Sequence, residues 1–308
     1  MVAPITIQGG ITFEGGITAG NVPLPPAPTL MLNLDADTYD NTTTGSAQNV
    51  SGTSDNVGFF PYAWPAYSVI QPGWTCVQTG AVVTAVDGVN HVITTVGTPF
   101  TSGDSYTFTG ANSWIDSVSD LPFILYNGVT LSSSGGNSMA FVSSSGQYAQ
   151  CSTSLSSMST WSAVAWHYYD GTNTGASPCI ITEVFTGGGI NYALGSLNDN
   201  SPLLMAGWYN GGWNMPGYTL TAGNWYQIVG TYDGSHVRLY INTQLVRETP
   251  STGAATSSGS GIKLMNRWDV GATEYWGGKL GQVQVYDGAM RFGDIVTNWN
   301  ANKARYGL

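Results

Sequence analysis

Period-2 alternation on both sides of one Asp-Gly pair constrains this chain more than any other feature. In NWYQIVGTYDGSHVRLYINTQLV, residues 224–246, Trp225, Gln227, Val229 and Thr231 point one way. Tyr226, Ile228, Gly230 and Tyr232 point the other. Beyond Asp233-Gly234, Val237, Leu239 and Ile241 share a face opposite Arg238, Tyr240 and Asn242. Two such runs joined by Asp-Gly predict an antiparallel β-hairpin. A lone hairpin is marginal in water, so further strands must complete it.

The rest of the chain supplies them. Leu30, Leu32 and Leu34 alternate with Met31, Asn33 and Asp35; Phe123–Tyr126 runs into an Asn127-Gly128 turn. Trp161, Ala163 and Ala165 alternate within Trp161–Trp166, and Ser201–Gly207, Ile262–Met265 and Gly281–Tyr286 read as later strands. Helical spacing occurs in Met290–Ala304, where Phe292, Ile295 and Trp299 recur three and four apart.

Several stretches resemble laminin-G-like, concanavalin A-like lectin domains. The Trp225-Tyr226 opening, the Tyr232-Asp233-Gly234 turn and the Leu239-Tyr240-Ile241-Asn242 return match that family's central hairpin. Leu32-Asn33-Leu34-Asp35-Ala36 is similar to its first strand, and Trp114-Ile115-Asp116-Ser117 to the turn after it. Ser138–Phe141, Gly146-Gln147-Tyr148-Ala149 and Gly277–Tyr286 resemble its later strands. The resemblance covers about two thirds of the chain. It implies an all-β fold: an antiparallel jelly-roll β-sandwich with one short C-terminal helix.

The first-strand and Trp-Asp motifs lie much further apart than a family loop requires. Residues 46–112 therefore read as an inserted small β-module, leaving 29–45 plus 113–308 as the sandwich. Within the insertion, Ala81–Val86 and His91–Val96 flank an Asp87-Gly88 turn, and Pro99-Phe100 and Tyr106–Phe108 suggest further strands. A structureless loop of that length is rare in a compact domain.

Residues 1–28 form an extended, β-prone docking arm and a linker. Three units at a period of six residues, Ile5–Gly10, Ile11–Gly16 and the shorter Ile17–Gly20, pair β-prone residues with glycine. Ile5, Ile7, Ile11, Phe13 and Ile17 are the expected assembly contacts, made by adding strands to a neighbouring sheet edge. Asn21–Pro28 holds four prolines and is stiff and extended. The Ile-Thr and Gly-Gly style of this leader resembles N-termini of tailed-phage structural proteins.

Composition narrows the function. Charged residues are 8% of the 308, against roughly 25% in ordinary globular proteins. Residues 1–237 hold 13 acidic side chains and no Lys or Arg; the last 71 hold all eight cations. Most of the chain thus cannot neutralise phosphate, which argues against a nucleic-acid partner. Cys76, Cys151 and Cys179 are too few and too scattered for a disulfide framework or a zinc motif. The start, MVAPITIQGG, lacks the basic and apolar regions of a signal peptide. No segment has the apolar length of a membrane span.

Glucan-hydrolysing relatives carry Glu-x-Asp-x-x-Glu, because retaining hydrolysis needs two carboxylates roughly 5 Å apart. The four Glu here, at 14, 183, 248 and 274, make no such pattern. No catalytic residue is assigned, and an enzyme is not expected. Aromatics in Gly- and Asn-rich surroundings are the stronger signal: Trp208, Tyr209, Asn210 and Trp213, with Trp268, Tyr275 and Trp276. Flat rings stack on sugar C–H faces, although tryptophans also fill sandwich cores. The family resemblance raises calcium, with Asp35 and Asp37, or Asp170 and Asp199, as loose candidates. Calcium wants six to eight oxygens, so no metal is assigned.

The expected function is a structural and adhesive component of a bacteriophage virion, on tail or capsid. It would be made in the host cytoplasm, bind other virion proteins and copies of itself, and present the sandwich to a host glycan. The alternatives are a free-standing carbohydrate-binding lectin and a polysaccharide-degrading enzyme.

Overall fold

The computed structural model describes residues 27–37, 113–119, 121–184, 189–196, 204–207, 217–253, 260–269 and 271–308 in full, and elsewhere only the backbone of short strands and of one 3₁₀ residue. Two large antiparallel sheets form a jelly-roll sandwich. One runs in the order Thr130–Ser132, Ser138–Phe141, Gly278–Asp287, Trp161–Tyr169, Asn224–Tyr232, His236–Ile241, Gln244–Pro250, with Thr29–Asp35 also on Gly278–Asp287. The other runs Ser113–Ile115, Pro122–Tyr126, Tyr148–Cys151, Ile262–Leu264, Cys179–Glu183, Ile190–Gly195, Leu203–Tyr209, Trp213–Asn214, with Gly217–Thr219 also on Leu203–Tyr209.

The Asp-Gly hairpin forms as its alternation predicts. Tyr232 pairs with Val237 and Ile228 with Ile241. Ile228, Tyr232, Val237, Leu239 and Ile241 join Trp161, Ala163 and Ala165 in the core between the sheets. Asp233 Oδ1 accepts from the backbone N–H groups of Ser235 and His236, each at 2.8 Å, and fixes the turn. Burial works against the Asp233 carboxylate. Hydrogen bonds from Arg238, Ser235 and His236 nevertheless hold its pKa well below the usual range.

The helix Phe292–Asn302 and the following 3₁₀ turn Lys303–Tyr306 cover the outer face of the first sheet. Ile295 and Met290 pack on Val164, Val229 and Tyr240, and Tyr306 packs on Trp166 and Trp225. Phe292, expected on the buried face, is 58% exposed. It is the first residue of the helix, and Ile295 and Trp299 further along make the contacts with the sheet.

Strands between residues 42 and 109 form a seven-stranded sheet of their own, with Thr42–Ser46 paired to Ser105–Thr109 and Val82–Asp87 to Val92–Val96. Pro99-Phe100 lies outside the described residues. In the leader, Thr6–Ile7 pairs with Ile11–Thr12. The side chains of Ile5, Ile7, Ile11, Phe13 and Ile17 lie outside the described residues, as does that of Cys76. Cys151 and Cys179 are buried free thiols, and burial pushes both pKa values up. Among the described residues no helix is long and apolar enough to cross a membrane.

Candidate functional site

Three tyrosines form a row on the outer face of the second sheet. In Pro122–Tyr126, Phe123 and Leu125 enter the core, so alternation turns Tyr126 outward. In Tyr148–Cys151, Ala149 and Cys151 point inward and Tyr148 out. Register places Tyr126 opposite Tyr148, and their rings stack with centroids 4.4 Å apart and planes 4° from parallel. Tyr275 continues the row, 6.0 Å from Tyr148 at 35°.

The backbone beneath the row is braced. Asn127 and Gly128 turn with positive φ, 61° and 82°. Asn127 Nδ2 donates to the Gly146 carbonyl at 2.6 Å. Gln147 Nε2 donates to the carbonyls of Asn127 and Gly128, and its Oε1 accepts from Val142 N–H at 2.7 Å. Gly146 lets the chain pass under Tyr275, since a Cβ there would lie 3.3 Å from the ring. The loop carrying Tyr275 is clamped: Arg267 pairs with Asp269 at 2.6 Å and with Glu274 at 2.5 Å. Glu274 Oε2 accepts from Ser177 N–H at 2.5 Å, and Tyr275 exchanges backbone hydrogen bonds with Thr174. Lys263 is buried under this loop and donates to the carbonyls of Arg267 and Asp269. Burial pushes its pKa down.

None of the three tyrosyl hydroxyls bonds to another described residue. Burial, then the neighbouring Tyr126 and Tyr275, push the Tyr148 phenol pKa up. The row offers three hydroxyls, ring edges and the outer face of Tyr126, which is 37% exposed. This chemistry suits a polyhydroxylated ligand: hydroxyls exchange hydrogen bonds while C–H groups lie on rings.

Of the aromatics expected to bind, Tyr275 alone among the described residues reaches this surface. Trp276 is fully buried, with its indole N–H given to His167, and its ring faces are not open to a ligand. Trp268 is 8% exposed, packed with Cys179, Ile190 and Ala193 beneath Arg267. Both fill space rather than line a surface. Trp208, Tyr209 and Trp213 belong to a hairpin at the opposite edge of the sheet, Tyr209 opposite Trp213. Their side chains, and all of Asn210, lie outside the described residues.

Arg305 occupies Asp35 and Asp37, at 2.6 and 3.0 Å. Asp170 Oδ1 accepts from the backbone and hydroxyl of Thr172, each at 2.7 Å. Asp199 lies outside the described residues. No cluster of three His, Cys, Asp or Glu occurs among the described residues.

Residues 143–295 match the family model Laminin_G_3, described as the concanavalin A-like lectin/glucanases superfamily. This stretch is a concanavalin A-like domain. The match contains Tyr148, Tyr275 and the central hairpin. No curated protein sequence matches significantly. Among solved structures, the binding domain of Paraclostridial Mosquitocidal Protein 1 aligns at 13% identity over 63% of this chain and 50% of that one, TM-score 0.50. Domain 4 of AbnA, a GH43 extracellular arabinanase from Geobacillus stearothermophilus, in complex with arabinotriose, aligns at 14% identity over 59% of this chain and 90% of that domain, TM-score 0.45. Trypanosoma rangeli sialidase aligns at 13% identity over 65% of this chain, which spans only 32% of the sialidase, TM-score 0.47. At these identities the likeness is one of fold.

Proposed function

We propose that this chain is a non-catalytic adhesive component of a bacteriophage particle, and that the Tyr126–Tyr148–Tyr275 row of its lectin-like sandwich holds a glycan. The observation that carries the binding half is the row itself: three neighbouring phenols with unengaged hydroxyls on a braced surface. Bracing matters because a preorganised surface loses less entropy on binding. The virion half is supported by the repeated β-prone leader. Its two short strands make a ribbon too small to be stable alone. Residues 46–112 would be a module carried on the sandwich.

Affinity electrophoresis through polysaccharide gels tests the binding half. Wild type is retarded by at least one polysaccharide, and Tyr148→Ala is retarded more weakly, by about five- to tenfold in affinity. Equal retardation of both proteins sinks the reading. Deleting residues 1–28 tests the virion half: the truncated protein keeps its retardation but fails to enter particles. Absence of the full-length chain from particles would instead favour a free-standing lectin, and incorporation of the truncated chain would rule out the arm as the anchor.

A further inference from the structure

We infer that the ligand of the tyrosine row is a neutral glycan, one without carboxylate, sulfate or phosphate. This inference rests on the glycan reading above and concerns only which glycan class fits.

The argument follows where each cation is. Arg238 is committed to Asp233 and Glu248. Arg305 is committed to Asp35 and Asp37. Lys279 donates to Ser132 Oγ and to the Ser134 carbonyl, and lies over the Tyr168 ring. Arg247 lies on the edge strand of the first sheet, and Arg291 and Lys303 flank the helix that covers it. Two cations remain near the row. Lys263 is 3% exposed and spends its ammonium on carbonyl oxygens beneath the loop. Arg267 is balanced by two carboxylates, Asp269 and Glu274.

The strands that carry Tyr126 and Tyr148 hold no charged residue. The row thus lacks an unspent positive group, while Glu274 adjoins Tyr275 and the chain carries a net charge of −10. Recognition of a carboxylate, sulfate or phosphate depends on charge-assisted donors, most often Arg. A polyanion would also meet like-sign repulsion. Uncharged hydroxyls meet neither obstacle.

Gels containing neutral polysaccharides (β-glucan, arabinan, galactomannan) and acidic ones (polysialic acid, alginate, hyaluronan) separate the outcomes, each run with wild type, Tyr148→Ala and the more exposed Tyr126→Ala. Circular dichroism confirms that each variant is folded. The expected result is retardation by a neutral polysaccharide alone, weakened about five- to tenfold in both variants, in line with one lost aromatic contact. That retardation is also expected to be unchanged between low and physiological salt. Retardation by an acidic polysaccharide, lost in the variants, overturns this inference and leaves the glycan reading standing. Retardation that neither variant weakens overturns both.

Discussion

The indole N–H of Trp276 donates to Nε2 of His167 at 3.0 Å, and both residues are sealed from solvent. Nε2 is therefore unprotonated, and Nδ1–H donates to the Lys279 carbonyl at 3.0 Å. Burial drives the His167 pKa down to about 3, against a small opposing effect of that carbonyl. The folded state thus rejects a proton that the unfolded chain accepts below its ordinary value of 6.5. Stability falls as pH drops from 6.5 towards 3, by up to about 1.4 kcal/mol per pH unit. Asp233, whose pKa is also depressed, loses its contribution only below the ordinary carboxylate range. Urea unfolding at pH 7, 5.5 and 4.5 should show this slope in wild type and a flatter one in His167→Gln. Parallel slopes would refute the assignment.

Gly230 faces the opposing sheet from the middle of its strand. A Cβ there would lie 2.7 Å from Cβ of Ala206 and 2.8 Å from Cδ2 of Leu194. Both neighbours are buried on strands of the opposing sheet and have no room to withdraw. Gly230→Ala is expected to cost about 1–3 kcal/mol by overpacking, and Gly230→Val more. The urea midpoint measures it; a neutral Val variant would mean that the sheets are further apart than described here.

Tyr306 stacks on Trp166 at 4.8 Å and lies 4.4 Å from Trp225, anchoring the C-terminus to the first sheet. Its hydroxyl is buried without a hydrogen-bond partner among the described residues. Burial pushes its pKa up. An unpaired buried hydroxyl is a cost, so Tyr306→Phe should leave stability unchanged or raise it by up to about 1 kcal/mol. Tyr306→Ala should lose about 3–5 kcal/mol. Thermal unfolding of both variants checks the pair. A Phe variant distinctly less stable than wild type would show that the hydroxyl is engaged.

What the sequence revealed, and what it concealed, follows from the range of each interaction. Alternation is local, so Ile228 and Tyr232 could be grouped on one face of their strand, and Val237 and Leu239 on one face of theirs, from the sequence alone; which face meets the other sheet could not. The Tyr126–Tyr148 stack is not local. It depends on which residues two strands place opposite each other, and a hairpin belonging to the other sheet separates them along the chain. The visible signal was weak: Tyr126 falls on the outward parity of Phe123–Tyr126, beside a turn. Tyr275-Trp276 shows a second limit. Neighbours in extended chain face opposite ways, so one could reach solvent while the other entered the core. Glycine-rich surroundings marked the loop but carried no information on which residue did which.

Asn33 and Asp116 are 83 residues apart, yet the Asn33 N–H donates to Asp116 Oδ1 at 2.6 Å. Ser117 N–H donates to the Asn33 carbonyl at 3.0 Å. Asp116 is fully buried and also accepts from Val118 N–H at 3.2 Å and Ser119 N–H at 2.7 Å. The sandwich thus holds both flanks of the intervening segment together itself. At the segment's own ends, Thr42 is paired with Thr109. Chain that leaves and returns at neighbouring points can be replaced at modest entropic cost. Exchanging residues 42–109 for a short Gly-Ser linker should therefore leave a folded sandwich, within about 1–2 kcal/mol of the full chain, that still binds at its tyrosine row. Adding Asp116→Asn should destabilise that shortened protein by about 1–3 kcal/mol, because the amide N–H₂ cannot accept from Ser119. Near-UV circular dichroism and urea titration report both results. Loss of the cooperative transition on shortening would mean that the seven-stranded sheet is part of the sandwich's own folding unit.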